Sequence, residues 1–153
     1  MSDMVDKWGR EVSERGFAQV PNYLMLINQF LNEDSKLSPV ELLILIQLVG
    51  SWWKKDEQPF PSMATLARRC GVSSRQISRA MNRLEEIGLV ERTKRREAGI
   101  ISSNSYDLMP LVGILKKVAK AYPNEFPRNV TVRTSLEVKK RPKRAINLMG
   151  DDV

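Results

Sequence analysis

Residues 60–96 read FPSMATLARRCGVSSRQISRAMNRLEEIGLVERTKRR, and they contain the pattern that is most informative about the fold. Apolar residues recur at helical spacing in two short runs, 63–70 and 74–87, and a glycine separates the runs. Ser73 precedes the second run as an N-cap candidate, and Gln76 stands at the capping-box position that follows it. The pattern therefore predicts two short helices that are joined by a tight turn.

A charged hairpin is predicted after the second helix. Leu89–Arg92 and Ile101–Leu108 have the composition of strands, and the charged residues 94–99 between them are typical of a turn. Two short helices followed by a two-stranded hairpin are the element order of a winged helix-turn-helix. We therefore expect a mainly α fold with a small β-hairpin, of the winged helix-turn-helix class.

Two further helices are predicted on either side of this stretch. The first runs from about Pro39 to Trp53, with Ser38 as its N-cap and Glu41 in the capping-box position. Its body is apolar on nearly all sides, so it either packs only in the core or also forms a dimer contact. The second runs from Pro110 to about Ala121, with its apolar residues on one face.

These elements predict a winged helix-turn-helix domain over residues 20–121. A loosely ordered N-terminus, residues 1–19, precedes it, and a basic extension, residues 122–153, follows it. Residues 20–31 are apolar enough to pack as a strand or as a short helix. Residues 130–138 alternate only weakly, which leaves a strand and disorder both open.

The composition excludes several kinds of active site. The chain of 153 residues has no histidine and one cysteine, which excludes Ser-His-Asp and Cys-His catalysis, histidine-ligated metals, an internal disulfide and a multi-cysteine cluster. We find no glycine-rich phosphate loop and no paired-carboxylate motif, so we expect neither an enzyme nor a cofactor. Cys70 lies on an apolar stripe and is interpreted as a small buried residue, with a reactive thiol as the alternative.

Positive charge is concentrated in two zones. The whole chain carries a formal charge of +7. Residues 68–96 have 9 basic and 3 acidic side chains, a net +6, and residues 128–153 have 7 and 3, a net +4. Residues 1–60 have 6 and 9, a net −3. This distribution is typical of a nucleic-acid binder, although two solvated surfaces would give the same totals.

The polar face of the second short helix carries the donors that read DNA. Guanidinium, amide and hydroxyl groups pair with guanine, adenine and phosphate oxygens in a major groove. No carboxylate interrupts this face before Glu85 and Glu86, near the end of the helix. The alternative is an ordinary amphipathic helix with a solvated arginine face. The polar face consists of Ser74, Arg75, Ser78, Arg79, Asn82 and Arg83.

The predicted hairpin adds four further basic residues close to that face. Such a cluster would repel itself in a free loop, whereas a phosphate backbone or a minor groove would neutralise it. We expect Arg75, Arg79 and Asn82 to read base edges. Phosphates would be held, and the register fixed, by Ser73, Ser74, Arg83, Arg95 and Arg96. The predicted DNA-binding residues are Ser73, Ser74, Arg75, Gln76, Ser78, Arg79, Asn82, Arg83, Arg92, Lys94, Arg95 and Arg96.

The chain resembles winged helix-turn-helix domains of bacterial and phage DNA-binding proteins. The pairs Pro61-Ser62 and Leu66-Ala67, the turn Gly71-Val72-Ser73 and the segment Leu84 to Val90 are similar to GntR-type repressors. The longer layout, over about residues 17–115, resembles the N-terminal domains of phage and plasmid replication proteins. That resemblance is carried by Val20-Pro21-Asn22, Leu37 to Glu41 and Ser103 to Leu108. It implies a recognition helix over Ser73–Arg83 and a wing over Thr93–Gly99.

The leading hypothesis is a non-catalytic, sequence-specific protein that binds double-stranded DNA, as a transcriptional regulator or as a repeat or origin binder. A mobile genetic element is implied by the resemblance alone. The alternative is an adaptor of replication or conjugation machinery that acts mainly by protein–protein contact. We expect a homodimer, because one recognition helix covers few base pairs. A replication or transfer protein is a further possible partner.

Two expectations concern the ends of the chain and its compartment. The polar N-terminus lacks the apolar stretch of a signal peptide, and the longest apolar run is too short to span a bilayer. We therefore expect a cytoplasmic protein with no membrane partner. Five basic residues of the tail, between 139 and 144, either form a flexible arm on phosphates or a peptide that docks on a partner, unless they only keep the protein soluble.

Overall fold

A computed structural model of the protein describes residues 2–97 and 100–126. Helices dominate this part of the chain, and one two-stranded antiparallel hairpin accompanies them. The mainly α fold with a winged helix-turn-helix layout is thereby confirmed. The elements are α1 (Ser2–Trp8), α2 (Arg10–Ser13), α3 (Asn22–Met25), α4 (Pro39–Gly50), α5 (Met63–Cys70), α6 (Ser74–Glu86), β1 (Glu91–Glu97), β2 (Ile100–Asp107) and α7 (Met109–Ala121).

Helix α4 begins as predicted. The Ser38 hydroxyl accepts a hydrogen bond from the Glu41 backbone N–H at 3.2 Å, and the Glu41 carboxylate accepts one from the Ser38 N–H at 2.9 Å. The helix ends at Gly50, three residues before the predicted end. The backbone leaves the helical path after Gly50, and the indole N–H of Trp52 donates to the carbonyl of Lys55 at 3.3 Å. The two tryptophans therefore lie outside the helix.

The turn between α5 and α6 has the geometry that a glycine permits. Gly71 has a φ of +71°, in the left-handed region, and the Val72 N–H donates to the Ala67 carbonyl at 3.1 Å. Ser73 and Gln76 then form the predicted capping box of α6. These bonds fix the direction in which α6 leaves the turn.

The wing strands differ from the prediction at their start. Leu89 and Val90, predicted to open the first strand, are both buried in the core. Strand β1 begins directly after them, at Glu91. Two consecutive residues of a strand point to opposite faces, so burial of both favours an irregular connection. Strand β1 then continues to Glu97, through most of the segment predicted as a turn. Its register with β2 shifts between Lys94 and Arg96.

The core lies where α4, α5 and α6 meet the base of the wing. It is closed from the N-terminal side by α3 and the short 3₁₀ turn Ile27–Gln29, so residues 20–31 are helical rather than a strand. The buried apolar residues include Leu24, Ile27, Ile44, Leu45, Leu48, Leu66, Ile77, Met81, Leu84, Leu89, Tyr106, Leu108 and Leu111. This core holds α6 by its apolar stripe and leaves the opposite stripe outside.

The N-terminal segment, predicted to be loosely ordered, contains the short helices α1 and α2, whose residues are mostly exposed. Helix α7 starts one residue before the predicted proline, where the Asp107 carboxylate accepts a hydrogen bond from the Met109 N–H at 2.9 Å. None of the helices in the described ranges is long and apolar enough to cross a membrane. The basic tail, and residues 130–138, lie outside the described residues.

Candidate nucleic-acid interface

Helix α6 presents a polar face to solvent along its whole length. Its opposite stripe, Ile77, Ala80, Met81 and Leu84, is buried. Arg75 and Arg79 are exposed one turn apart, and no hydrogen bond or ion pair joins either guanidinium to another described residue. Of the other residues predicted on this helix, Ser73, Ser74, Gln76 and Asn82 are exposed, whereas Ser78 and Arg83 are half-buried.

The N-terminal end of α6 favours an anion. The first N–H groups of a helix lack partners within the helix and carry partial positive charge, which attracts phosphate. Ser73 and Ser74 stand at this end, and Arg75 adds a full positive charge to it. Gln76 is partly engaged, because its carbonyl oxygen accepts a hydrogen bond from the Ser73 N–H at 3.2 Å. Both glutamates of α6 lie at its far end.

Arg83 has partners within the protein. Its guanidinium forms an ion pair with the Glu41 carboxylate at 2.5 Å and donates to the Asp34 carbonyl at 2.9 Å. The Glu41 side chain is only 10% exposed, so it is the kind of group that needs a partner. The pair joins α6 to the start of α4. Sequence reasoning placed Arg83 on the DNA-facing surface and missed this contact, which spans 42 residues and leaves no local signal.

Arg92 also binds within the protein, and it couples the wing to α6. Its Nε donates to one oxygen of Glu85 at 2.7 Å, and its backbone N–H donates to the other oxygen at 3.1 Å. A terminal nitrogen of the same guanidinium donates to Oδ1 of Asn82 at 2.6 Å. The hydrogen bond from Arg92 holds the pKa of Glu85 below its ordinary value, against a smaller opposing effect of burial. The wing is thus tied to the last turns of α6.

The first strand of the wing carries the remaining predicted residues. Lys94 is exposed on β1, next to the irregularity in the strand register. Arg95 and Arg96 belong to β1 by their backbone, and their side chains lie outside the part of the chain that the structure describes. The backbone therefore places the cluster of basic wing residues on the strand that Arg92 ties to α6.

Cys70 has the environment that is expected of a small packing residue. Cys70 is half-buried at the end of α5 and packs against the core, and burial raises the pKa of its thiol. A raised pKa leaves less of the reactive thiolate, as expected for a packing residue.

Over the described ranges, no group of three or more acidic, cysteine or histidine residues could hold a metal ion.

Comparison with known proteins supports a DNA-binding domain. Residues 35–90 match the model of a family that is described as a helix-turn-helix domain. The matched range begins just before α4, contains α5 and α6, and ends one residue before β1. No curated protein matches the chain. The match therefore covers the helices that build the candidate interface and stops short of the wing.

Proposed function

We propose that the protein is a non-catalytic, sequence-specific binder of double-stranded DNA that acts as a transcriptional regulator or at a repeat array or origin of a mobile genetic element. The observation that carries this proposal is the exposed face of α6. That face presents the exposed guanidinium groups of Arg75 and Arg79, which have no partner among the described residues, on a helix whose opposite side is buried in the core. The mobile-element setting rests on the resemblance to phage and plasmid replication proteins.

In this proposal α6 lies in the major groove with its N-terminal half inward. Arg75 and Arg79 read base edges, since a guanidinium forks onto guanine O6 and N7. Ser73 and Ser74 set the register by donating to phosphate oxygens at the helix N-terminus. Gln76 keeps its amide N–H2 for the same contact, because its oxygen is held by the capping box.

The wing supplies phosphate contacts through Lys94, Arg95 and Arg96. The two paired arginines take another part: Arg83 holds α6 on α4, and Arg92 holds the wing on α6. Arg83 thereby fixes the reading helix on the rest of the domain, and Arg92 fixes the angle between that helix and the wing, on which simultaneous contact with groove and backbone depends. We propose that their contribution to DNA binding passes through this geometry.

We also propose that the protein binds DNA as a homodimer. A single recognition helix contacts few base pairs, and two-fold pairing is the usual way to extend a site. An adaptor role in replication or conjugation is the second candidate, and the exposed aromatic surface favours it: Trp53 is 78% exposed and lies outside α4. Large exposed apolar residues often mark protein contacts.

A binding titration separates the two candidates. Fluorescence anisotropy of a labelled random-sequence duplex, measured over a range of salt concentrations, gives the non-specific affinity and its salt slope. The DNA-binding proposal predicts a steep loss of affinity with salt and stronger binding to a selected sequence than to random duplex. Affinity that stays at micromolar or weaker on every duplex, together with a partner retained in a pull-down, would support the adaptor instead.

A further inference from the structure

The Asn82 amide is oriented by the wing, and this limits which base it reads. Its Oδ1 accepts a hydrogen bond from the Arg92 guanidinium at 2.6 Å, and the same guanidinium is held by Glu85. An asparagine oxygen must face a guanidinium, because the amide nitrogen carries only hydrogens to donate. The exposed Asn82 side chain therefore presents its Nδ2 group as a donor.

Recognition of adenine needs both ends of the amide. Asparagine pairs with adenine by accepting from N6 with its oxygen while donating to N7 with its nitrogen. In this protein the oxygen is turned towards the wing and is occupied by Arg92. A lone N–H2 group can donate to N7 of adenine or guanine, to guanine O6 and to thymine O4, so it gives adenine no advantage over guanine.

We propose that Asn82 is a donor-only reader with no preference for adenine over guanine, and that Arg92 and Glu85 set this behaviour as positioning residues. This inference rests on the proposed DNA-binding function. Arg92 would thus influence the sequence preference without contacting DNA, because its guanidinium donates hydrogen bonds to Glu85 and Asn82. The three residues form one unit that joins the last turns of α6 to the start of β1.

The test compares sequences selected from a random duplex pool by the wild-type protein, Asn82→Ala and Arg92→Met. Asn82→Ala identifies the base pair that Asn82 reads, because the preference there falls by about three- to tenfold, the effect of one hydrogen bond. The wild type should not prefer adenine over guanine at that pair. Arg92→Met frees the oxygen and should raise the share of adenine there.

The outcomes separate this inference from the proposed function. Adenine preferred by the wild type at that pair, or no base pair whose preference changes in Asn82→Ala, overturns the inference while sequence-specific binding stands. Enrichment of no sequence by the wild type overturns the proposed function itself. The comparison of the wild type with Asn82→Ala decides the question even if Arg92→Met does not fold.

An apolar groove is formed by residues that belong neither to α6 nor to the wing. A groove of about 400 Å³ is lined by Trp52, Trp53, Met109 and Val112, and by three lysines, Lys54, Lys55 and Lys116. Phe17 lines the adjoining hollow beside the same two tryptophans. The floor is apolar and the rim is positive, so the groove suits an amphipathic segment with carboxylates.

The chain itself contains such a segment. Helix α1 exposes Met4, Val5 and Trp8, with Trp8 50% exposed, and it carries Asp3 and Asp6. Trp8 lies against Phe17, with ring centroids 6.3 Å apart, so α1 is anchored beside the groove without filling it. A two-fold axis near Phe17 would place α1 of each copy over the groove of the other, an isologous contact.

We infer that two copies of the chain associate by reciprocal seating of α1 in the lysine-rimmed groove of the partner. This deepens the proposed homodimer. Apolar side chains exposed on both surfaces would be covered, and the aspartates of one copy would face the lysines of the other. The association does not use α6, so both reading helices stay available to DNA.

Charge reversal tests the contact by sedimentation velocity at tens of micromolar protein. The wild type should be a dimer, while Lys55→Glu/Lys116→Glu and Asp3→Lys/Asp6→Lys should each be monomeric. A mixture of the two variants should form a heterodimer, because each α1 then meets a groove of opposite charge. Phe60→Ser is the control, since Phe60 is 54% exposed and does not line this groove.

A monomeric wild type, or a dimer that both reversals leave intact, overturns the inferred contact. Recovery of the heterodimer in the mixture also proves that the two variants are folded. Binding of each monomeric variant to a single half-site would show that the DNA-binding proposal does not depend on this interface.

Discussion

Arg79 is the residue on which the proposed base readout depends most. Its guanidinium is exposed in the middle of α6 and has no partner among the described residues. We expect Arg79→Ala to weaken binding to a selected duplex by about 1–3 kcal/mol and to relax specificity at one position. Lys94→Ala, on the wing, should instead weaken all sequences about equally and lower the salt slope by about 1.

Both variants are measured by anisotropy titration on the selected duplex and on random duplex, each at several salt concentrations. Arg10→Ala, which removes an exposed arginine of α2, controls for the loss of one positive charge. Equal losses for Arg79→Ala on specific and random DNA would contradict the division between base reading and phosphate binding.

Arg83 differs from Arg79 although the two lie one turn apart. Arg83→Met removes the partner of the nearly buried Glu41 carboxylate, and it should lower the free energy of unfolding by about 1–3 kcal/mol. Arg79→Met should change it by no more than about 0.5 kcal/mol, since Arg79 is exposed. Urea denaturation of both variants checks this. Equal stability of the two would contradict the structural role of Arg83.

At the scale of the element, the turn between α5 and α6 requires a glycine. Gly71 has a φ of +71° and open space around its missing Cβ, so the cost of Gly71→Ala is conformational alone. We expect this variant to lose about 1 kcal/mol of stability. Gly113→Ala, within α7 and equally uncrowded, should gain about 0.5–1 kcal/mol. Thermal unfolding of both measures the opposite signs, and a loss in both would contradict this account.

The bond between the wing and α6 should depend on pH. Because Arg92 lowers the pKa of Glu85 in the folded protein, the pair stabilises the fold above the ordinary pKa of 4.5, and this stability is lost as the pH falls below that value. Glu85→Gln lacks the titrating group. The difference in unfolding free energy between wild type and variant should shrink from about pH 6 to about pH 3. A difference that is independent of pH would contradict the coupling.

The sequence predicted the elements with local signals and missed the contacts without them. The caps at Ser38 and Ser73 and the glycine turn are short-range patterns, and the structure confirms them. The start of β1 was misplaced because core packing buries two consecutive residues there. The partners of Arg83 and Arg92 depend on how the helices and the wing pack together. From its position on the polar face of the helix Arg83 was predicted to bind DNA, and Arg92 was predicted to do so from its place in the basic hairpin.

At the scale of the whole molecule, charge is divided between the parts of the chain. Residues 68–96, which contain α6 and all of β1 except Glu97, carry a net charge of +6, while residues 1–60 carry −3. Such a separation orients a protein as it approaches a polyanion, with the basic side leading. Helix α6 and the wing are held on that side by the core, Arg83 and Arg92. The architecture therefore supports a module that presents one reading helix and one backbone clamp together.

The most direct test is a selection of bound fragments from a random duplex pool, run near physiological salt. The account predicts an enriched sequence, and a two-fold dimer predicts that its half-sites form an inverted repeat. Enriched direct repeats would point to an array binder at an origin or maintenance locus. If no sequence is enriched, the exposed arginine face of α6 is only an electrostatic surface, and the claim that this helix reads DNA is contradicted.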